Sequence, residues 1–260
     1  MVFFWLWLEL QRLGLQSPLL LRFMNVSSES SQSLSCWTSP LLHAHKIPHW
    51  FSKRDPPDPN WIAQHLGSHN ARAARVKQVH GSKSVDASEC ESDPLQLADA
   101  IITNDPLIVP IISTADCCPV LVVCLHSKSC AAIHAGWRGI ALDIVGESLR
   151  ALVERFGADP KHMVAAIGPC ASVERYEVGE DVIDAFTQQG LSEALRPSPS
   201  AHKAFANCSH AVRILLERSG MQRNLIESNP PCTIGDVTFA SHRREPENKV
   251  RMLSGVTIPR

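Results

Sequence analysis

Between Leu97 and Ala135 four short apolar runs follow one another: Leu97–Thr103, Leu107–Ser113, Pro119–His126 and Ser129–Ala135. They are rich in Val and Ile and are broken by Asn104-Asp105-Pro106 and by Ser127-Lys128. Runs this short, β-branched and bounded by turn formers read as buried strands rather than helices. The period then changes. From Gly139 to Phe156, Ile140, Ile144, Val145, Leu149, Leu152, Val153 and Phe156 recur at helical spacing, with Asp143, Glu147, Arg150 and Glu154 on the opposite face. Gly157 and then Asp159-Pro160 close that helix. A strand-rich block running into an amphipathic helix predicts an α+β fold, with mixed β-sheets flanked by helices. The same reading places a strand over Val164–Ile167, helices over Val182–Gln188 and Ala206–Ser219, and closing strands over Val237–Ala240 and Val250–Ile258.

Residues 1–45 have a different character: apolar Val2–Leu8 and Ser17–Met24, then a Ser-rich stretch Ser27–Ser39. Neither apolar run reaches the roughly 20 residues that span a bilayer, and no positive n-region marks a secretory signal. Two readings stand. Arg12 and Arg22 against only Glu9 and Glu29 fit an organellar transit peptide; equally, Met24 fits an initiator downstream of the nominal start. On either, 1–45 is expected to lie outside the fold. Residues 46–260 contain no repeat and no internal linker, and are expected to form one domain.

A chain that is 44% hydrophobic is not disordered as a whole, and 25 basic against 26 acidic residues give a net charge of −1. No global field draws this chain to nucleic acid or to an anionic membrane, so any anion site is local. Nine cysteines, an odd number, five of them in or beside apolar stretches, do not read as a disulfide framework. They indicate a reducing, intracellular compartment, the cytoplasm ahead of an organelle, with buried thiols or a metal ligand.

Phosphate-binding glycine loops of the G-x-x-x-x-G-K-[ST] and G-x-G-x-x-G types are absent, as are G-x-S-x-G, H-E-x-x-H and C-x-x-C. What remains are three segments that end apolar runs in reactive groups: Lys77–Gly81 with His80, Thr114–Pro119 with Asp116 and Cys117, and His134–Gly139 with Arg138. Strand ends of this kind aim side chains at a common rim. His80, Cys117 and His134 would make a nitrogen, sulfur, nitrogen set, which zinc accepts with a fourth position left open. The spacing alone leaves the alternative standing, with Cys117 a small buried hydrophobe and each His bonded locally. Arg138 lies at a strand-to-helix junction, where free N–H groups and a guanidinium fork suit phosphate. Arg243-Arg244, after His242, reads alone as a solvated turn.

At these residues the chain resembles a known family, the laccase-domain proteins, historically labelled multicopper polyphenol oxidases and regarded as zinc-dependent purine nucleoside phosphorylases. The resemblance runs through Gln78-Val79-His80-Gly81, Ala98-Asp99-Ala100, Thr114-Ala115-Asp116-Cys117, His134–Gly139, Ile167-Gly168-Pro169, Tyr176–Gly179 and Cys232-Thr233. It implies His80, Cys117 and His134 as ligands of one Zn2+ per chain, with purine nucleoside and phosphate as substrates and neither nucleic acid nor membrane as partner. It makes Arg138 a catalytic or phosphate-binding contact and Arg243 and Arg244 substrate-binding candidates. Asp116 is the candidate acid or base, or else a residue that orients a ligand. The family is also credited with adenosine deamination. The usual Phe-Ser-Tyr-Arg-Arg is here Phe239-Ala240-Ser241-His242-Arg243-Arg244.

Three rivals accompany this reading. A copper oxidase needs several His-x-His pairs, and the chain has one, His43-Ala44-His45, outside the matching region; copper is discounted. A metal-free cysteine hydrolase would use Cys117 as nucleophile and His134 as base. A catalytically inactive protein would keep zinc for stability alone.

Overall fold

The computed structural model describes residues 36–90 and 95–259. The apolar runs of the middle build a six-stranded sheet. Its strands are β4 (Ser84–Asp86), β5 (Ala100–Thr103), β7 (Cys118–Cys124), β8 (Ser129–Ala135), β9 (Met163–Ile167) and β13 (Ile226–Glu227), in the order β13-β9-β7-β8-β5-β4. The central pairings are antiparallel, while the two edge pairs, β4 with β5 and β13 with β9, are parallel. A five-stranded sheet joins β1 (Cys36–Trp37), β2 (His49–Ser52), β3 (Arg72–Ala74), β6 (Ile108–Thr114) and β14 (Met252–Val256), in the order β1-β2-β14-β6-β3. The short strands β10 (Glu177–Val178), β11 (Leu195–Pro197) and β12 (Ala204–Ala206) form a third sheet. Six α-helices occur among the described residues: α1 (Pro40–Ala44), α2 (Pro59–Leu66), α3 (Trp137–Ala141), α4 (Ile144–Phe156), α5 (Glu180–Gln188) and α6 (Cys208–Arg218). None of them is long and apolar enough to cross a membrane.

The layering follows from the two-residue period of a strand. Along β7, Val120 and Val122 face a core with Leu149 and Leu152 of α4 and Leu215 of α6. Their neighbours Leu121 and Val123 face the other way, into a layer with Phe51, Ile112 and Val256 of the five-stranded sheet. Every residue of β7 and β8 is buried. That is why these antiparallel strands read as continuous apolar runs instead of alternating ones. The outer face of the five-stranded sheet is covered by α2, through Ile62 and Ala63 against Trp50, Val109, Ile111 and Leu253. The α+β expectation, mixed sheets flanked by helices, is what the chain adopts.

Three expectations are corrected. The helix expected over Gly139–Phe156 is two helices, because Asp143 takes a left-handed conformation (φ 60°) and its carboxylate accepts from the Gly146 N–H, starting α4 afresh. Val237–Ala240 is a turn, not a strand: Asp236 Oδ1 accepts from the Thr238 N–H at 2.9 Å, and the Phe239 carbonyl accepts from Arg244 at 2.7 Å. Backbone groups engaged in this way are not offered to a ladder.

The third correction concerns 36–45, expected outside the fold. β1 pairs with β2, and Leu42 of α1 is wholly buried between the two large sheets. Ser39 caps α1, its hydroxyl and the Leu41 N–H both bond Glu227 of β13, and its own N–H donates to His49 Nε2 at 2.8 Å. The segment is a strap fastened across the sheets, so the fold includes the ten residues before Lys46. Both readings of the leader concern residues of which 1–35 lie outside the described ones.

Candidate metal centre

Three loops at one end of the two sheets meet. Cys117 stands in the turn between β6 and β7, directly before Cys118. His134 is the penultimate residue of β8, and the pairing of Cys118 with Ala135 brings that turn alongside the end of β8. His80 arrives from the loop between β3 and β4. The ligand atoms of His80, Cys117 and His134 all lie within 4.8 Å of one another, and the two imidazole rings sit edge to face at 4.8 Å. These residues could hold a metal ion: two imidazole nitrogens and a thiolate are a zinc donor set.

Local structure explains the motif around each ligand. Glycine at 136 leaves room for the cluster, since a Cβ there would come to 3.0 Å of the His80 ring and 3.1 Å of Cys117 Sγ and push both by a few tenths of an ångström. Gly139 lets α3 press against the His80 loop, where a Cβ would meet the Gly81 carbonyl at 2.9 Å. His80 (φ 61°) and Asp116 (φ 80°) both adopt left-handed backbone, a conformation that persists in a non-glycine residue only where the surroundings enforce it. For His80 the enforcement is visible. The Gln78 side chain acts as a strand partner for the end of β6, donating to the Ser113 carbonyl at 2.7 Å and accepting from its N–H at 2.8 Å.

Asp99, quoted within the Ala98-Asp99-Ala100 resemblance but assigned no role from sequence, is the hub of the site. Its carboxylate is wholly buried. Oδ1 accepts from the His80 N–H at 2.9 Å and from His134 Nδ1 at 2.8 Å; Oδ2 accepts from the N–H groups of Val79 at 3.2 Å and Gly81 at 2.7 Å. One carboxylate therefore wraps the backbone that presents His80 and fixes the ring that presents His134. With Nδ1–H given to Asp99, His134 turns Nε2 towards Cys117, the arrangement by which a carboxylate orients and strengthens a ligating imidazole. Burial opposes ionisation of Asp99, but these hydrogen bonds and the His134 charge outweigh it and hold its pKa down.

The same balance operates on the ligands. Burial pushes the Cys117 thiol up, yet hydrogen bonds and charge from His134 and His80 prevail and bring it down to about 6. Burial depresses His134, and Asp99 and Cys117 more than reverse this, raising it to about 9. At neutral pH Cys117 is therefore mostly thiolate, the form that binds metals and attacks carbon.

The carboxylate bonded to the two histidines of the cluster is that of Asp99, not Asp116. Asp116 Oδ1 accepts from the Thr233 hydroxyl and Oδ2 from the Arg243 N–H, both at 2.6 Å, so it braces the C-terminal turn against the Cys117 turn. Arg138 is exposed on the first turn of α3, its guanidinium carbon 4.3 Å from the Trp137 ring centre. Arg243 is exposed as well and lies over the Tyr176 ring. Arg244 is a correction: its guanidinium is turned inward, donating to the carbonyls of Thr233 at 2.6 Å and Phe239 at 2.7 Å and to Glu245 at 3.1 Å. It holds the loop together and has no fork left for a substrate. A short turn with two adjacent arginines gives no sequence signal for which one faces inward.

The chain is similar to known proteins over most of its described length. A family model described as multi-copper polyphenol oxidoreductase laccase matches residues 58–259. The chain is 36% identical over 178 residues to a purine nucleoside phosphorylase of Bacteroides thetaiotaomicron, covering 66% of this chain and 65% of that one, so it spans just under two thirds of that relative. It is 35% identical to a purine nucleoside phosphorylase of Deinococcus radiodurans (76% and 75% covered). It is 31% identical to adenosine deaminase RL5 of an unknown prokaryotic organism (73% and 72%). Among solved structures, hypothetical protein YfiH of Bacillus licheniformis superposes with a TM-score of 0.72 at 21% identity, covering 83% of this chain and 94% of that one. The ligand cluster, its glycine-lined rim and the match over residues 58–259 lead to one conclusion: the chain belongs to the multi-copper polyphenol oxidoreductase laccase family.

Proposed function

We propose that this protein is a zinc-dependent purine nucleoside phosphorylase, cleaving nucleosides of the adenosine and inosine type with phosphate to give the free base and ribose 1-phosphate. The observation that carries the reading is the His80, Cys117, His134 cluster wired through Asp99, on a rim that also presents Arg138 and Arg243. Two nitrogens and one thiolate suit zinc, and its trinuclear copper counterpart would require further histidine clusters. Among the described residues this trio is the group that could hold a metal, and His43 and His45 do not join it. Bound there, zinc would supply a Lewis acid with an open position for a substrate oxygen.

The protein's own groups do the rest. Arg138 and Arg243 offer fixed positive charge to a phosphate dianion; the five-residue helix α3 has little macrodipole of its own, so the guanidinium is the main attraction. Gln78 and Asp99 keep His80 and His134 in register while substrates exchange, and Asp116 holds the Arg243 backbone against the Cys117 turn. Arg138→Ala is expected to weaken the phosphate dependence of purine release by about 10- to 150-fold, the equivalent of losing a charge-assisted contact of about 1.5–3 kcal/mol, with metal content unchanged. Purine release that is equally fast without phosphate, or adenosine deamination alone, would contradict the phosphorylase reading.

A second reading has one observation in its favour. Cys117, lowered to about 6 beside His134, is also what a cysteine nucleophile needs. Chelator treatment separates the two: a hydrolase that uses the free thiolate gains or keeps activity when metal is removed, whereas the proposed enzyme loses it.

A further inference from the structure

Phosphorolysis needs a hydrogen-bond donor or acid for the departing purine, and the groups named so far do not supply one. His134 has given Nδ1–H to Asp99 and turned Nε2 to the cluster, and Asp116 is committed at both oxygens. One phenol is linked to this rim through Arg243. Tyr176, the only tyrosine of the chain, lies just before β10, half-buried at the edge of the helix-side core. Its backbone is fixed at both ends, the N–H donating to the Ser172 carbonyl at 3.0 Å and the carbonyl accepting from the Ala206 N–H at 3.0 Å. Arg243 places its guanidinium carbon 5.1 Å from the ring centre, and the Arg243 N–H bonds Asp116, the residue before Cys117. Two links therefore tie the ring to the metal rim.

We propose that Tyr176 is a further catalytic residue, the O–H donor to the leaving base, and that Arg243 positions both this hydroxyl and the phosphate. The proposal rests on the phosphorylase reading. As the bond from the ribose anomeric carbon to the purine breaks, its electron pair stays with the purine, which takes the phenol proton. A phosphate oxygen forms the new bond to the anomeric carbon. The phenolate then takes the proton that hydrogen phosphate gives up on becoming an ester, so one proton passes from phosphate to base and no other reactant enters. Burial raises the pKa of the hydroxyl against the opposing effect of Arg243, so the proton is in place at working pH.

The test is a leaving-group comparison on the zinc-loaded protein with phosphate, using inosine and 7-methylinosine, whose methylated ring departs without needing a proton. Tyr176→Phe removes one oxygen and keeps the ring. For general acid catalysis the variant should lose at least about 10-fold in kcat on inosine and less than about 2-fold on 7-methylinosine, at wild-type zinc content and melting temperature. Equal losses on the two nucleosides, or no loss on inosine, overturn the proposal. A variant that loses zinc as well as both activities makes Tyr176 a packing residue and overturns it too. Wild-type protein that cleaves neither nucleoside overturns the reading beneath it, a result visible before any variant is made.

Discussion

The two large sheets are built from opposite kinds of sequence. Within the six-stranded sheet β7 and β8 follow one another through a tight turn, and β9 pairs on the far side of β7, so most of its ladder is closed between residues 100 and 167. The five-stranded sheet gathers short strands from both ends of the fold: Ser52 of β2 accepts from the Leu253 N–H of β14 across 201 positions. Local pairing leaves long apolar runs that a reader can find. Distant pairing is done by pieces of two to five residues, β1, β2, β3 and β14, whose pattern means nothing until the partner is known. Such a sheet also bears the larger loop-closure cost. The His80, Cys117, His134 cluster lies where the two meet, with His134 on the local sheet and Gln78 anchored to β6 of the distant one.

Removing the strap should damage the distant sheet most. A chain beginning at Lys46 lacks Leu42, and with it the bonds to Glu227 and to His49 Nε2. Emptying a buried leucine site costs about 2–5 kcal/mol, and at roughly 2–4 °C per kcal/mol for a domain of this size its melting temperature should fall by on the order of 10 °C. An unchanged melting temperature would show that the strap is not part of the folded unit.

Asp99→Asn tests the junction rather than the sheet. An amide in place of the carboxylate turns an NH2 group towards N–H donors and weakens the hold on both His80 and His134. Loss of such an outer partner weakens metal binding by about 10- to 100-fold, or about 1.4–2.8 kcal/mol, which chelator competition would read. Equal affinity in the variant and the wild type would assign the ligand positions to something other than Asp99.

The smallest effect is a pH slope. Burial lowers the pKa of His49, the Ile47 carbonyl and Glu227 only partly opposing it, and its Nε2 must stay unprotonated to accept from the Ser39 N–H. The folded value lies below the unfolded one of about 6.5. The unfolded chain therefore binds more protons between the two values, so stability is full above about 6.5 and falls as the pH drops towards the folded value, by at most about 1.4 kcal/mol per pH unit. Melting curves between pH 7 and pH 5 should show this slope, reduced in His49→Gln. A variant with the wild-type slope would place the acid sensitivity elsewhere.

The same contrast explains what the sequence disclosed. The strands over 100–135 and 163–167, the helical periodicity up to Phe156, and α6 are legible because their partners or caps are close by. The break at Leu142-Asp143 is hidden, since a helical hydrophobic pattern continues through it while one carboxylate restarts the backbone. His80, Cys117 and His134 can be grouped only as strand-end residues of suitable chemistry, 37 and 17 positions apart; resemblance to a family selects them. Asp99 is hidden too, because an aspartate between two alanines carries no sign that it will be buried. Arg243 and Arg244 are indistinguishable until the carbonyls of Thr233 and Phe239 are seen to claim one of them.

The proposed site joins the thiolate of Cys117 and two imidazoles around one metal. Metal analysis of the purified protein beside Cys117→Ala measures this directly. About one zinc per chain in the wild type is expected from a three-ligand site with one open position, and the variant should carry almost none while remaining folded. Full zinc retention by Cys117→Ala, or a wild type free of zinc yet active on nucleosides, would contradict it.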